Sequence, residues 1–165
     1  MIDWVAVQLG ALEWHHLAAV LAILLAEQVA ARLGMWWYAL ATMPGTIAHE
    51  SAHYVVALAL NARPDLPRIL PQETEHGWRM GSVTFRAGLW RALPIALAPF
   101  ALAPLSLWYA AHFLPGAPHV GWFALHAWVS GTMLSASLPS RADWRLALPA
   151  LAFLGLTFVL LWLVR

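Results

Sequence analysis

The chain has 165 residues, a length that fits one domain. It is 62% hydrophobic and only 10% charged, with a mean hydropathy of +0.68, against roughly 25% charged residues in an average soluble domain. So few charges cannot cover a soluble globule, and a net charge of +1 without a dense Lys/Arg cluster excludes a nucleic-acid footprint. There is no cysteine, so disulfides and thiolate metal sites are excluded, and any metal must be held by histidine and carboxylate.

Met1 to Glu13 carries Asp3 and Glu13 and no positive n-region, which argues against a cleaved signal peptide. A spanning helix needs about 20 mostly apolar residues. Five stretches meet or approach that length: residues 14–33, 36–60, 89–114, 120–138 and 142–164. The first two are separated by a tight turn at Gly34, and Trp36, Trp37 and Tyr38 read as an interfacial aromatic belt. The third contains Pro94, Pro99 and Pro104, which predict a kinked helix with freed carbonyls satisfied by neighbours. Residues 61–88 form a polar excursion with Arg63, Asp65, Arg68, Glu73, Glu75 and three prolines. Within it Trp78 to Phe85 alternates partly, and Arg68 to Leu70 is expected to pair with it across a Glu73–Gly77 turn. The expectation is an all-α polytopic membrane protein, with about five transmembrane helices and a short membrane-associated β-hairpin between spans two and three.

Arginine placement sets the expected orientation. All nine basic residues are arginine. With the N-terminus cytoplasmic, Arg63, Arg68, Arg79, Arg86, Arg91, Arg141 and Arg145 lie inside, and only Arg32 and Arg165 outside.

The second span contains His49-Glu50-Ser51-Ala52-His53. Histidines at i and i+4 share one helical face, so both imidazoles can reach one tetrahedral ion. A Glu beside the first His can take a proton from a water at that ion. Three ionisable groups in five residues of an apolar helix are costly to bury, which favours a site over two core histidines and an ion-paired Glu. A catalytic zinc needs a third protein ligand and an open position. Asp143 is the leading candidate. Pro139 ends span four, Ser140 can cap span five, and Asp143 then sits at the same cytoplasmic end as His49 and His53. A helix-terminal acid also favours the macrodipole, so that role stays open beside the first. Rival ligands are His126, His112, His15 and His16, with His126 also an oxyanion-contact candidate on a stripe with Ser130, Met133 and Ser137. Glu73, Glu75 and His76 read as solvated, and Glu27 with Gln28 as a local ion pair with Arg32 or as snorkelling groups.

These residues resemble the site-2-protease class of intramembrane zinc metalloproteases, and among them the small bacterial zincin-like branch. The similarity covers Met43 to Arg145. It rests on the His-Glu-x-x-His helix, Gly81-Ser82-Val83-Thr84-Phe85, Ala98-Pro99-Phe100 with Ala103-Pro104, and Pro139-Ser140-x-x-Asp143. The resemblance implies Zn²⁺ held by His49, His53 and Asp143, with Glu50 as general base. It also implies a membrane protein or peptide substrate, bound in the lipid bilayer against the polar segment by β-augmentation. The chain departs from better-known members at the third ligand, where they carry an Asn-Pro-x-x-Asp-Gly-like run and this chain has Ser140-Arg141-Ala142-Asp143-Trp144. The arginine-only, Ala-, Leu- and Trp-rich composition suggests a GC-rich bacterial genome, hence a bacterial inner membrane with the site nearer the cytoplasmic face. A competing expectation is a non-proteolytic membrane metal- or haem-binding protein using His49, His53, His112 and His126.

Overall fold

The computed structural model describes residues 10, 12–75 and 77–164. The sequence expectations for the N-terminal segment, His76 and Arg165 fall largely or wholly outside them.

The chain is mostly helical. Helix α1 (Trp14–Leu33) matches the first expected stretch. Gly34, at φ 128°, turns the chain into α2 (Met35–Ala41). Helix α3 (Met43–Ala59) follows after one non-helical residue, Thr42. Pro44 explains that break, because it supplies no N–H to the carbonyl four residues back. The Thr42 hydroxyl instead bonds the Tyr38 carbonyl at 2.9 Å, and Trp128 donates its indole N–H to Ala41 at 2.6 Å. The prolines of the next stretch divide it into α4 (Leu89–Leu97), a 3₁₀ turn (Ala98–Ala101) and α5 (Leu102–Phe113). Helix α6 (Val120–Ser135) and helix α7 (Arg141–Leu163) complete the chain.

Three helical stretches are long and apolar enough to cross a membrane: Trp14–Leu33, Leu89–Phe113 and Arg141–Leu163, with mean hydropathies of 1.6, 1.5 and 2.3. Their outer faces carry exposed Leu17, Leu21, Leu25, Phe153, Leu156 and Leu160. This is consistent with an integral membrane protein, since a soluble surface does not present such continuous apolar area. The other two expected spans are weaker on length. The one at 36–60 is interrupted at Thr42, and α6 has only 16 residues.

Helix α6 is central, packing against α1, α3 and α5, while α7 packs along α4 and α4 along α3. Small residues permit this closeness. A Cβ on Gly45 would collide with the Thr132 carbonyl of α6, and one on Gly131 would lie 2.8 Å from Ile23 of α1. Ser130 donates to the Ser106 carbonyl at 3.0 Å, so buried polar groups in this layer have partners.

The polar excursion does contain a β-hairpin, with β1 (Gln72–Thr74) antiparallel to β2 (Gly77–Arg79). Its turn is tighter than the expected Glu73–Gly77, because Glu73 and Thr74 belong to the strand. Gly77 at φ 108° and a 2.6 Å bond from Thr74 Oγ1 to the Gly77 carbonyl close the loop within fewer residues. Pairing continues below the hairpin through an Arg68–Ser82 bridge and a bond from Asp65 N–H to the Thr84 carbonyl. Residues 69–71 therefore face only Met80 and Gly81 between the two paired levels, one extra residue that includes Pro71.

Candidate metal centre

His49 and His53 sit about one helical turn apart on α3 with Glu50 next to His49, and Asp143 sits in the first turn of α7. The fold brings both histidines onto that carboxylate. His49 Nε2 lies 3.4 Å from Asp143 Oδ2, His53 Nε2 lies 3.2 Å from Asp143 Oδ1, and the two Nε2 atoms are 3.1 Å apart. Among the described residues, these three are the His, Cys, Asp or Glu side chains that converge closely enough to hold a metal ion.

The outer ring nitrogens fix the tautomers. His49 Nδ1 is 2.7 Å from the Ala136 carbonyl oxygen, and His53 Nδ1 is 2.7 Å from that of Ile95. A carbonyl only accepts, so each Nδ1 carries a proton, and in the neutral ring the Nε2 lone pair turns inward. With both rings neutral, two lone pairs and a carboxylate face one another. Such a donor set calls for a cation. Donors at about 2.0–2.1 Å from a tetrahedral zinc stand about 3.3 Å from one another, and the three separations here run from 3.1 to 3.4 Å. The residues fit the ion.

Both orienting carbonyls are available for a local reason. Within α4 the Ile95 carbonyl would accept from residue 99, but Pro99 has no N–H. The chain tightens so that Ala98 N–H bonds Ile95 instead, leaving the second lone pair to His53. Ala136 is the C-cap of α6, where carbonyls lack helical partners. Asp143 is held too. Its Oδ2 accepts the Ser140 N–H at 2.7 Å, and Ser140 Oγ accepts the Asp143 N–H at 3.3 Å, a capping box at the start of α7. Ser140 thus caps the helix as expected. A helix-terminal position and a place in the converging group coexist in one side chain.

The centre opens on a cleft of about 630 Å³. One wall is α3 and the start of α7. The other is the segment that begins in β2 and runs on past it, with Trp78, Met80, Gly81 and Val83. Glu50 is buried and lines this cleft. Gly81, at φ 117°, passes so close that a Cβ there would lie 2.5 Å from Glu50 Oε1.

The rival histidines are placed elsewhere. His126 bonds Tyr109 Oη at 2.8 Å and lies between Phe113 and Trp122. His112 stacks on Trp108. His16 is buried and accepts the Glu13 N–H at 2.9 Å, and His15 stacks on Phe123. None of them joins the converging group or lines the cleft, among the described residues. Of the expected α6 stripe, Ser137 bonds the Leu134 carbonyl and Ser130 faces α5. Glu73 and Glu75 are exposed. Glu27 differs from expectation. It is 4% exposed and accepts from Ser135 Oγ at 2.9 Å, a contact across 108 positions of chain, whereas the expected partner Arg32 makes no ion pair with it among the described residues. A lone acid in an apolar helix was the available signal, but its partner, a serine on another helix, was not legible.

Comparison with protein-family models, curated proteins and solved structures returned no match.

Proposed function

We propose that the chain is an intramembrane zinc-dependent endopeptidase, cleaving a peptide bond in or near a membrane-embedded substrate. One observation carries this reading. Two inward Nε2 lone pairs and a carboxylate, at zinc-like separations, face a cleft also lined by the glutamate that adjoins the first histidine. The donor set favours zinc, since imidazole with carboxylate suits that ion and no thiolate is available. The arrangement of motifs also resembles the site-2-protease class, which uses this chemistry.

Bound zinc would supply Lewis acidity, polarising a peptide carbonyl and making a nearby water easier to deprotonate. His49, His53 and Asp143 would hold it. Glu50 accepts the water's proton at its carboxylate and returns it to the departing amine. The Ala136 and Ile95 carbonyls keep both imidazoles in the ligating tautomer. The strand through Gly81 walls the cleft, excluding lipid and leaving an edge against which an extended peptide can lie.

In this reading the chain crosses a bacterial inner membrane with five spans, the 36–60 and 120–138 stretches included, and with the N-terminus cytoplasmic. The arginines that line the cleft, Arg79 and Arg141, then lie on the cytoplasmic side with the site.

The test compares purified wild type with Glu50→Gln for metal content and for cleavage of membrane-spanning test peptides. Equal zinc in both, with cleavage confined to wild type and lowered at least about a hundredfold in the variant, is the expected result. Full activity in Glu50→Gln refutes the mechanism. A visible haem absorption band without zinc would favour the metal- or haem-binding alternative.

A further inference from the structure

A smaller cavity of about 230 Å³ borders the main cleft. It shares Thr46, Met80 and Ala136 with the main cleft, so the two spaces adjoin across residues that also shape the centre. Ala136 is the residue whose carbonyl orients His49. The remaining lining is polar: Glu27 and Gln28 from α1, Tyr38 and Thr42 from the α2 region, and Ser135 from α6.

Glu27 is the one acid or base in this lining, tyrosine aside. It is 4% exposed, yet its only hydrogen-bond partner among the described residues is a neutral hydroxyl, Ser135. Neither carboxylate oxygen is both buried and without a partner, so the oxygen not bonded to Ser135 borders the cavity. Held in its ionised form at membrane depth without a protein counter-charge, such a carboxylate is costly, and a cation beside it would offset that cost. The surrounding hydroxyls and amide can accept or donate, but none supplies positive charge. A cationic group entering from the cleft would meet one fixed carboxylate and a ring of acceptors. The volume suits a single extended side chain and not a second peptide segment.

Resting on the peptidase reading above, we propose that this cavity is a specificity subsite for a primary ammonium or guanidinium side chain, a lysine or arginine, of the segment being cleaved. Glu27 is its specificity-determining residue, and Ser135 is a positioning residue that fixes the carboxylate's rotamer. Selection arises because a neutral side chain leaves the carboxylate unpaired and an acidic one adds repulsion.

The experiment uses zinc-loaded full-length protein in detergent micelles. The probes are membrane-spanning peptides that differ only in carrying Lys, norleucine or Glu at successive positions around the cleaved bond. For wild type, at one position the kcat/KM order is expected to be Lys above norleucine above Glu, with Lys favoured about tenfold or more. In Glu27→Gln the Lys-to-norleucine ratio falls to near one. In Glu27→Asp it stays above that of Glu27→Gln. Each ratio is measured on one preparation, so a loss of folded protein does not move it. A wild-type ratio near one at every position overturns the subsite, as does a ratio unchanged in Glu27→Gln. Cleavage of none of the peptides overturns the peptidase reading and the subsite with it, a result distinct from cleavage of all at equal rates.

Discussion

His53 donates its Nδ1–H to the carbonyl of Ile95 at 2.7 Å, and that carbonyl is open to it because the residue four positions on is Pro99. A helix defect in α4 therefore orients a histidine of α3. Replacing Pro99 by Ala restores an N–H that competes for the same carbonyl and lets α4 continue toward α5. His53 then loses the partner that fixes its tautomer. Zinc affinity of Pro99→Ala, measured by competition with a chromogenic chelator, is expected to fall about 10- to 100-fold. Unchanged affinity would mean that the Ile95 contact does not tune the centre.

Asp143 belongs to both the converging group and the helix cap, and two substitutions separate its proposed ligand role from the cap. Asp143→Ala removes ligand and cap together. It is expected to lose stoichiometric zinc and, by loss of the cap, about 1 kcal/mol of stability. Asp143→Asn retains an oxygen that can accept the Ser140 N–H, so it is expected to bind zinc weakly while keeping most of the cap. Elemental analysis beside thermal unfolding of the metal-free proteins reads both effects. Stoichiometric zinc in Asp143→Ala would move the third ligand to another residue, with His126 next in line.

Gly81 combines a left-handed backbone, φ 117°, with close passage over Glu50. An Ala there is strained, and its methyl group displaces the Glu50 carboxylate, which is easier to move than the paired strand beneath it. Cleavage by Gly81→Ala is expected to drop by about tenfold or more, since displacing a catalytic group by about 1 Å can cost a hundredfold. Its zinc content should match wild type. Loss of zinc instead would show that the strand supports the ligands and not only the base.

Local patterns carried much of the site. His49 and His53 are four residues apart on one apolar helix, so their shared face follows from helical geometry alone. Pro139 and Ser140 announce a helix end and start, which placed Asp143 at a terminus. The limits of α1 and α7 follow composition closely, because a long apolar run has one way to satisfy its backbone in lipid. Other features depend on tertiary approach. The Glu27–Ser135 contact and the Ala136 carbonyl of His49 join residues 108 and 87 positions apart, with no pattern in either segment to predict them. Arg68 does pair with the Trp78–Phe85 segment, at Ser82, but the turn is shorter than Glu73–Gly77, because Gly77 at φ 108° closes it and Glu73 and Thr74 join the strand. The 36–60 helix broke at Thr42 because Pro44 acts two residues before its own position.

The capping box at Ser140 and Asp143 has a thermodynamic corollary. The carboxylate that would hold the ion is the one that closes the first turn of the 23-residue α7. Ion binding and helix initiation are then linked functions, and each must strengthen the other by the same factor. Removing the metal frees Asp143 to swing and lets the first turn fray, which hydrogen exchange at the Asp143 and Trp144 amides would register as faster opening. The last helix would thus report occupancy of a centre whose two imidazoles it does not carry, and its far end at Leu163 lies about 30 Å from Asp143 by the rise of about 1.5 Å per residue.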